Sequence, residues 1–584
     1  MKIITTILIL SLTQISFAQI YTDFIGAGHM NGVTVTTSHN ANPANNGAKT
    51  IDGFQNHNDE TLRDASRFLA QATMGYDYET IQNVATMGYE TWIEEQMSLS
   101  MHSTMDAALL LDNVYSATEL PEELYGFLKF RSAWWNIILN NPDILRQKVT
   151  WSLSQIFVTS AVGSDLFEDV TELSTVYYDL LQRHSFGNYR DLLSAVSRNL
   201  SMGLYLSHFN NPKSNPALNI HPDENYAREV MQLFSIGLYE LNNDGSRKLD
   251  GNGQFIPTYD NDDIREFAKI FTGFGDPIGN EFGELDDENP GLVASTPMKM
   301  FDEHHEPGQK TLLYGQIVPA GQTGLEDFED AMDNLFNHPN VGPFIGKALI
   351  QFMTTSNPSP AYIDRVASAF NNNGLGVRGD LKAVVKAILL DPEARRCNPV
   401  DFPTSGKLRE PLTRFTSFIK AFNPRPNGNT QNVYVHEMVD WDETVGQTPQ
   451  YSPSVFNFYQ PEFQPNGVIA NNNLVGPEYQ IHNSSTAIGF INNLNEWVFN
   501  PSPFPSEFEA TADVGIMLDY SDELALINNP SSLVNRLDIL LGAGLLSQRT
   551  KTIIIDAITQ LDNEDRLPIA IYLIMMSPDY AVLK

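Results

Sequence analysis

Apolar residues recur at helical spacing along most of the chain after residue 60. Leu145, Val149 and Leu153 repeat every four positions and share one helix face, while Arg146 and Lys148 begin a more polar side. The pattern predicts helices over residues 61–74, 78–98, 119–140, 144–162, 170–184 and 189–206.

Two further helical blocks follow, the first over residues 325–392 and the second from residue 406 to the C-terminus, with a break near residues 423–476. We therefore expect a mainly α protein, a large multi-helix globular body over residues 59–584. The breaks near residues 275–324 and 423–476 are either domain boundaries or surface loops of one domain.

One segment, residues 241–259, predicts a small β-hairpin insertion. Asp244-Gly245 and Asp250-Gly-Asn-Gly253 are turn sequences between short extended pieces. The second turn also suggests a calcium loop, but the regular oxygen ligands and the closing glutamate of an EF-hand are missing, so a hairpin turn is favoured.

The N-terminus is typical of a secretory signal peptide. Met1 and Lys2 precede an apolar run, and Ser16 and Ala18 supply the small residues of a cleavage site before Gln19. We expect residues 1–18 to be removed, residues 19–58 to form an irregular arm, and the mature chain to be periplasmic or extracellular. No later run reaches the roughly 18 apolar residues that a transmembrane helix needs.

The net charge of the chain excludes some classes of function. The 584 residues include 36 Lys plus Arg and 71 Asp plus Glu, a formal net charge of −35 at pH 7. A surface this acidic repels phosphate backbones and anionic lipid, which argues against general nucleic-acid or membrane-surface binding. The single cysteine, Cys397, excludes an intramolecular disulfide and a multi-thiolate metal site, and we expect it to be a buried bystander.

The segment from His221 to Gly237 predicts a helix with apolar residues on nearly every side, and such a helix is normally buried. Its charged groups, Glu224, Arg228 and Glu229, must then be paired or line a cavity. Two interpretations stay open: a buried Glu224–Arg228 ion pair that ties helices together, or a polar pocket lined by carboxylate and guanidinium groups.

A second candidate is the loop from Asp302 to Lys310, which combines acids, His304, His305 and an amine. Imidazole and carboxylate groups bind divalent metals, so His304, His305 and Glu229 are metal candidates. A loop without a metal is the alternative, because no His-Glu-x-x-His spacing occurs in the chain.

Two other patterns are better explained by a structural role than by a catalytic one. Asp260 to Asp263 places acids at a predicted helix start, where capping accounts for them. His338-Pro339 is typical of the junction between two helices. The sequence contains no serine-hydrolase elbow, no phosphate-binding loop and no dinucleotide fingerprint.

Several ordered segments resemble a large bacterial family, DUF1800, a domain of unknown function. They are Ala65 to Gly75, Leu145 to Val149, Gln155 to Val158, Glu224 to Glu229, Pro257 to Tyr259, Phe271 to Phe274, His305 with Lys310, His338-Pro339, Lys407 to Pro411 and Pro453 to Tyr459. Gln232 stands where the family often has glutamate, which weakens a carboxylate metal site on this helix.

The resemblance implies a mostly helical, often exported protein, often encoded beside DUF1501 proteins that look like sulfatase relatives. One hypothesis is an enzyme or enzyme partner acting on extracellular or envelope material, with catalytic candidates Glu224, Arg228, Glu229, His305 and Lys310 around one pocket. The other is a non-catalytic envelope scaffold or binding protein in which these residues are scattered and separately satisfied.

Overall fold

Helices dominate the first part of the computed structural model, which describes residues 57–115, 125–285, 289–395, 404–426, 444–499 and 516–584. The first ten helices are α1 (His57–Ala72), α2 (Tyr78–Met87), α3 (Tyr89–Ser98), α4 (Thr104–Tyr115), α5 (Tyr125–Asn140), α6 (Ile144–Ser154), α7 (Asp165–Asp169), α8 (Thr171–His184), α9 (Tyr189–Ser197) and α10 (Leu200–Tyr205).

Two of the predicted helices are each divided in two. Gly88, at φ +83°, separates α2 from α3, and Asn199 accepts a hydrogen bond from the Ser201 amide at the start of α10. Helix α4 was not predicted. Its first turn is capped from a distance, because the Asp179 carboxylate on α8 accepts the Thr104 amide at 2.6 Å.

A small antiparallel meander follows α11 (Asn225–Gln232). Backbone bridges join Tyr239 to Pro257, Leu241 to Arg247 and Leu249 to Phe255. At one turn the Asp250 carboxylate accepts the amides of residues 252 and 254, so the predicted β-hairpin insertion is confirmed and this aspartate serves the turn.

The remaining helices are α12 (Asn261–Ile270), α13 (Pro290–Ser295), α14 (Gly324–Phe336), α15 (Val341–Met353), α16 (Pro360–Asn371), α17 (Leu381–Leu389), α18 (Pro411–Ala421), α19 (Val468–Asn471), α20 (Ser484–Phe499), α21 (Ser521–Leu524), α22 (Pro530–Leu540), α23 (Gln548–Thr559), α24 (Asn563–Met575) and α25 (Pro578–Ala581). Short 3-10 helices cover Pro216–Leu218, Asp302–His304, Leu313–Gly315 and Pro477–Gln480.

Within the described ranges, eight two-residue strands pair in four antiparallel ribbons. They are β1 (Phe274–Gly275) with β2 (Lys299–Met300), β3 (Lys310–Thr311) with β4 (Ile317–Val318), β5 (Lys407–Leu408) with β8 (Val582–Leu583), and β6 (Arg425–Pro426) with β7 (Ile516–Met517). The mainly α prediction is confirmed. The β5–β8 ribbon brings residues near the end of the sequence against the segment before α18, next to a polar region of the core.

The core is one large apolar cluster that extends from α1 to α25. Helix α6 lies deep inside it, and every residue from Ile144 to Leu153 is buried. The polar side predicted for this helix is therefore not on the surface, and Arg146 and Lys148 are both inside the protein.

Several predictions fall on residues outside the described ranges: the signal peptide, nearly all of the N-terminal arm, and Cys397. They stay predictions, as do the sub-boundaries near 275–324 and 423–476. In the part of the chain that the structure describes, no helix combines the length and the apolar character needed to cross a bilayer.

Candidate functional site

Helix α11 carries the first group of candidates. It is shorter than the predicted helix, and its last turn closes where the Gly237 amide donates to the Met231 carbonyl at 3.0 Å. Glu224 is the N-cap residue and pairs with Arg228 at 3.5 Å. Both side chains are about two-fifths exposed, at 43% and 41%, so the first of the two interpretations, a buried ion pair, is wrong.

Glu229 lies on the same helix but is 5% exposed. Its Oε2 atom is buried and has no hydrogen-bond partner among the described residues. Burial raises the pKa of Glu229, and the positive charge of Arg228 opposes that rise only in part. Three other carboxylates, Asp327, Glu478 and Asp538, also have a buried oxygen without a hydrogen-bond partner, but each is paired with a lysine. Glu229 has no ion-pair partner within 4 Å in the described part of the chain, and a buried carboxylate without one is a candidate for a functional role.

Two tyrosines, Tyr205 and Tyr259, lie close enough to this carboxylate for its charge to act on their hydroxyl groups. Burial, with the negative charge of Glu229 as a second cause, raises the pKa of Tyr205 and that of Tyr259 to about 12. The Tyr259 hydroxyl is buried and also lacks a hydrogen-bond partner in the described part of the chain. We call Tyr205, Arg228, Glu229 and Tyr259 the Glu229 patch.

The second group of candidates forms a buried triad. The Nε2 atom of His305 lies 3.0 Å from the Oδ2 atom of Asp327, and Lys310 donates to the same oxygen. The other ring nitrogen of His305 lies 2.9 Å from the Thr272 carbonyl oxygen. We call His305, Lys310 and Asp327 the His305 triad.

Sequence reasoning missed Asp327. It lies in the first turn of α14, where an acidic residue is expected for helix stability alone. Burial favours the neutral carboxyl, but hydrogen bonds from His305 and Lys310 outweigh it and hold the pKa of Asp327 below its usual value. All three side chains of the triad are at most 2% exposed, so the group is sealed from solvent.

The Glu229 patch and the His305 triad are not connected to each other by hydrogen bonds or ion pairs among the described residues. The His304 ring stacks on the Phe282 ring, with centroids 4.1 Å apart. No group of three or more His, Cys, Asp or Glu side chains that could hold a metal ion occurs among the described residues. The metal candidates His304, His305 and Glu229 therefore do not form such a group.

A third polar group lies in the core and was not predicted. Glu410 accepts hydrogen bonds from Gln447 at 2.7 Å, from Tyr459 at 2.8 Å and from Trp151 at 3.0 Å. Close to it, Lys407 pairs with Glu478 at 2.9 Å. We call Lys148, Lys407, Glu410, Tyr459 and Glu478 the Glu410 cluster.

Charge interactions hold this cluster together. Burial disfavours the charged form of Glu410, but Lys407, Lys148 and the hydrogen-bond donors prevail and lower its pKa. Burial raises the pKa of Glu478, although Lys407 opposes the rise. Burial, reinforced by the positive charge of Lys407, lowers the pKa of Lys148 to about 8.

The cluster is assembled from segments far apart in the sequence. Lys148 comes from α6, Lys407 and Glu410 from the segment that leads into α18, and Tyr459 from the loop before α19. The sequence does contain a signal for this cluster. Charged residues stand among apolar ones in segments 145–149 and 407–411, and both segments also carry the family resemblance.

Two small cavities adjoin this cluster. One is lined by Lys148, Lys407, Arg409 and Glu410, with Ala70, Phe352, Thr413, Ser417 and Leu583 completing its wall, and the other lies by Trp151, Phe157, Tyr177 and Asn457. Each holds about 10 Å³, which is room for about one water molecule. None of the five predicted catalytic residues lines either cavity.

Fold and sites together define a mainly helical protein that lacks the sequence motifs of the common hydrolases, kinases and dehydrogenases. The chain belongs to the DUF1800 family, described as a protein of unknown function, whose profile matches residues 67–582. No curated protein and no solved structure matches the chain. An activity must therefore be argued from the sites themselves.

Proposed function

We propose that this is an exported enzyme, or the partner of an enzyme, that acts on extracellular or envelope material through the Glu229 patch. The observation that supports the proposal is the Glu229 carboxylate, nearly buried and with an oxygen that no described residue satisfies. Such an oxygen is available to a ligand that enters the patch.

The chemistry suited to this patch is general acid catalysis. A carboxyl group whose pKa is raised keeps its proton to higher pH and can donate it to a leaving group. Arg228, two-fifths exposed one residue away, can bind an anionic part of the substrate. The two tyrosine hydroxyls stay protonated at neutral pH and can donate hydrogen bonds.

Export and partnership are part of the same proposal. Export rests on the signal-peptide pattern of residues 1–18. A DUF1501 protein as partner rests on the family resemblance alone. The exposed pair of Glu224 with Arg228 of the patch offers such a partner charged contacts.

The test is turnover by the full-length secreted protein on a panel of chromogenic nitrophenyl glycosides, esters, phosphates and sulfates. We expect activity on at least one class, and we expect Glu229→Gln to abolish it. Glu523→Gln is the matched control, because Glu523 is 2% exposed but pairs with Arg536 at 2.6 Å away from the patch. Absence of turnover across the panel, or full turnover in Glu229→Gln, contradicts catalysis by this protein at the Glu229 patch.

A scaffold is the second candidate, and the His305 triad favours it. Two of the predicted catalytic residues, His305 and Lys310, satisfy each other and Asp327 inside the protein, as a scaffold requires. For a scaffold we expect Glu229→Gln to raise the melting temperature, because it removes the buried carboxylate, with no turnover in either protein.

A further inference from the structure

The Lys148 side chain is an unusual group in the core. It is 4% exposed, and among the described residues it makes no hydrogen bond and no ion pair within 4 Å. Burial lowers its pKa only to about 8, so the amine is still mostly charged at pH 7. A buried ammonium group without a hydrogen-bond acceptor is costly, and in folded proteins such groups are normally paired.

The nearby carboxylates do not supply the missing acceptor. Glu410 already accepts hydrogen bonds from Trp151, Gln447 and Tyr459, and more weakly from Thr413 at 3.4 Å. Glu478 is engaged with Lys407 and does not line the cavity that Lys148 lines. Lys148 instead lines the small cavity of about 10 Å³ described above.

The charges around that space do not balance. The cavity is lined by three cationic residues, Lys148, Lys407 and Arg409, and by one carboxylate, Glu410. Glu478 neutralises Lys407 from outside the cavity. One positive charge is left over, and Arg409 adds two buried nitrogens, Nε and Nη2, that have no hydrogen-bond partner in the described part of the chain.

We infer that this cavity binds one monovalent anion of halide size, held by the Lys148 ammonium group. The volume has room for about one water-sized particle, which excludes sulfate and phosphate, and chloride or bromide, both somewhat larger than water, fits once side chains of the wall shift slightly. Two residues of the wall, Ala70 and Ser417, are only partly buried, so the cavity lies near the surface on that side.

The anion links parts of the chain that are distant in sequence. Lys148 lies on α6, Arg409 follows β5, and Leu583 of the cavity wall lies on β8. A halide ion bound there stabilises the folded state by mass action, because the unfolded chain has no such site. The site shares no residue with the Glu229 patch and is independent of the proposed function.

The test compares melting temperatures in sodium chloride and in sodium gluconate at equal ionic strength, since gluconate is too large to enter. We expect the melting temperature of the wild-type protein to rise with chloride to a plateau, and we expect Lys148→Met to lose this chloride-specific rise. Lys420→Met is the matched control. Burial also lowers the pKa of Lys420 to about 8, but Lys420 donates to the carbonyls of Ile138 and Leu139 and does not line the cavity.

Wild-type crystals grown with sodium bromide give an answer that does not depend on the folding of any variant. An anomalous peak beside the Lys148 amine supports the inference. A cavity without an anomalous peak, together with equal melting temperatures in chloride and gluconate, overturns it and leaves a water molecule as the occupant. A peak without any chloride-specific rise means an adventitious ion only and overturns the inference as well.

Discussion

The imidazole of His305 and the carboxylate of Asp327 lie 3.0 Å apart, 22 positions apart in the chain and sealed inside the protein. Lys310 contacts both groups. The triad therefore fastens the loop after β2 to the first turn of α14. Because the Asp327 carboxylate neutralises the buried Lys310 amine, the main contribution of the triad is to the stability of the fold.

Replacing Asp327 by asparagine removes that neutralising charge and leaves the Lys310 amine buried without it. We expect the free energy of unfolding to fall by about 3–5 kcal/mol, the usual cost of breaking a buried ion pair by removing one partner. Urea denaturation followed by circular dichroism measures the change.

Asp333→Asn is the control for Asp327→Asn. It lies on the same helix and pairs with Arg190, but its side chain is 62% exposed. We expect a loss below about 1 kcal/mol, as for other surface ion pairs. Equal losses in the two variants would show that the triad does not act as a sealed ion pair but as an ordinary polar contact.

His208 makes the folded state sensitive to acid. Its ring stacks on Tyr226 at 3.9 Å, Nε2 donates to the Ser197 carbonyl at 2.8 Å, and Nδ1 is buried without a partner in the described residues. Burial lowers the pKa of His208 to about 4, and the Ser197 carbonyl opposes the decrease only in part. The folded protein therefore resists a proton that the unfolded chain accepts near pH 6.5.

The sign of the effect follows. Between pH 6.5 and pH 4 the unfolded chain binds more protons at His208 than the folded protein does. The free energy of unfolding is therefore highest above pH 6.5 and decreases as the pH is lowered to 4, and the contribution of His208 to this decrease is about 3 kcal/mol. We expect His208→Phe to keep the ring stacking and to reduce the slope of this part of the profile, to which His338 and His482 also contribute because burial lowers their pKa values to about 4. Chemical denaturation at pH 7, 5.5 and 4 measures it. Parallel profiles for variant and wild type would contradict the assignment.

Local patterns explain why much of the fold was predictable. Asp260 and Asp263 form the capping box that starts α12, and His338 lies between α14 and α15 as expected. These features depend on residues within four positions of one another. A helix start is therefore visible in the sequence without knowledge of the tertiary structure.

The sites were less predictable because burial depends on what packs against a helix. A helical wheel places Glu224 and Arg228 together at the start of α11, but it does not show that this side of the helix faces solvent. The same reasoning places Lys148 on a polar side of α6, yet the residue is buried in the folded protein. The partner of His305, Asp327, lies on another element and carries no local signal of its role.

The Glu410 cluster gives a test by double substitution. The Tyr459 hydroxyl donates to the Glu410 carboxylate at 2.8 Å in a fully buried site. We expect Tyr459→Phe to lower the free energy of unfolding by about 1.5–3 kcal/mol, the range for hydrogen bonds to charged groups. In a Glu410→Gln background we expect a smaller loss, because the acceptor is then neutral.

Tyr314→Phe is the control for Tyr459→Phe. The Tyr314 hydroxyl also makes a hydrogen bond, at 2.9 Å to His338, but the residue is 70% exposed, so water can replace the partner. We expect a loss within about 0.5 kcal/mol. If Tyr459→Phe costs the same in both backgrounds, the two groups are not coupled and Glu410 does not organise the cluster.

Gly75 allows the turn between α1 and α2 to pack closely on α18. Its φ is +142°, and a Cβ atom there would lie 2.8 Å from the Thr416 carbonyl oxygen and 2.9 Å from the Ser417 Cα atom. Both contacts are to helix backbone, which cannot move as a side chain can. We expect Gly75→Ala to reduce stability through two effects, backbone strain and steric overlap, with a total of about 3 kcal/mol or more.

Gly253→Ala separates the two effects. Gly253 also has a positive φ, +78°, but a Cβ atom there meets nothing within 4 Å. Only the strain of a left-handed alanine applies, so we expect a loss of about 1–2 kcal/mol. Urea denaturation of both variants gives the difference, which contains the overlap with α18 together with the difference in backbone strain between φ +142° and φ +78°. A difference near zero would mean that α18 shifts freely, and the junction of α1, α2 and α18 would then be more loosely packed than its contacts indicate.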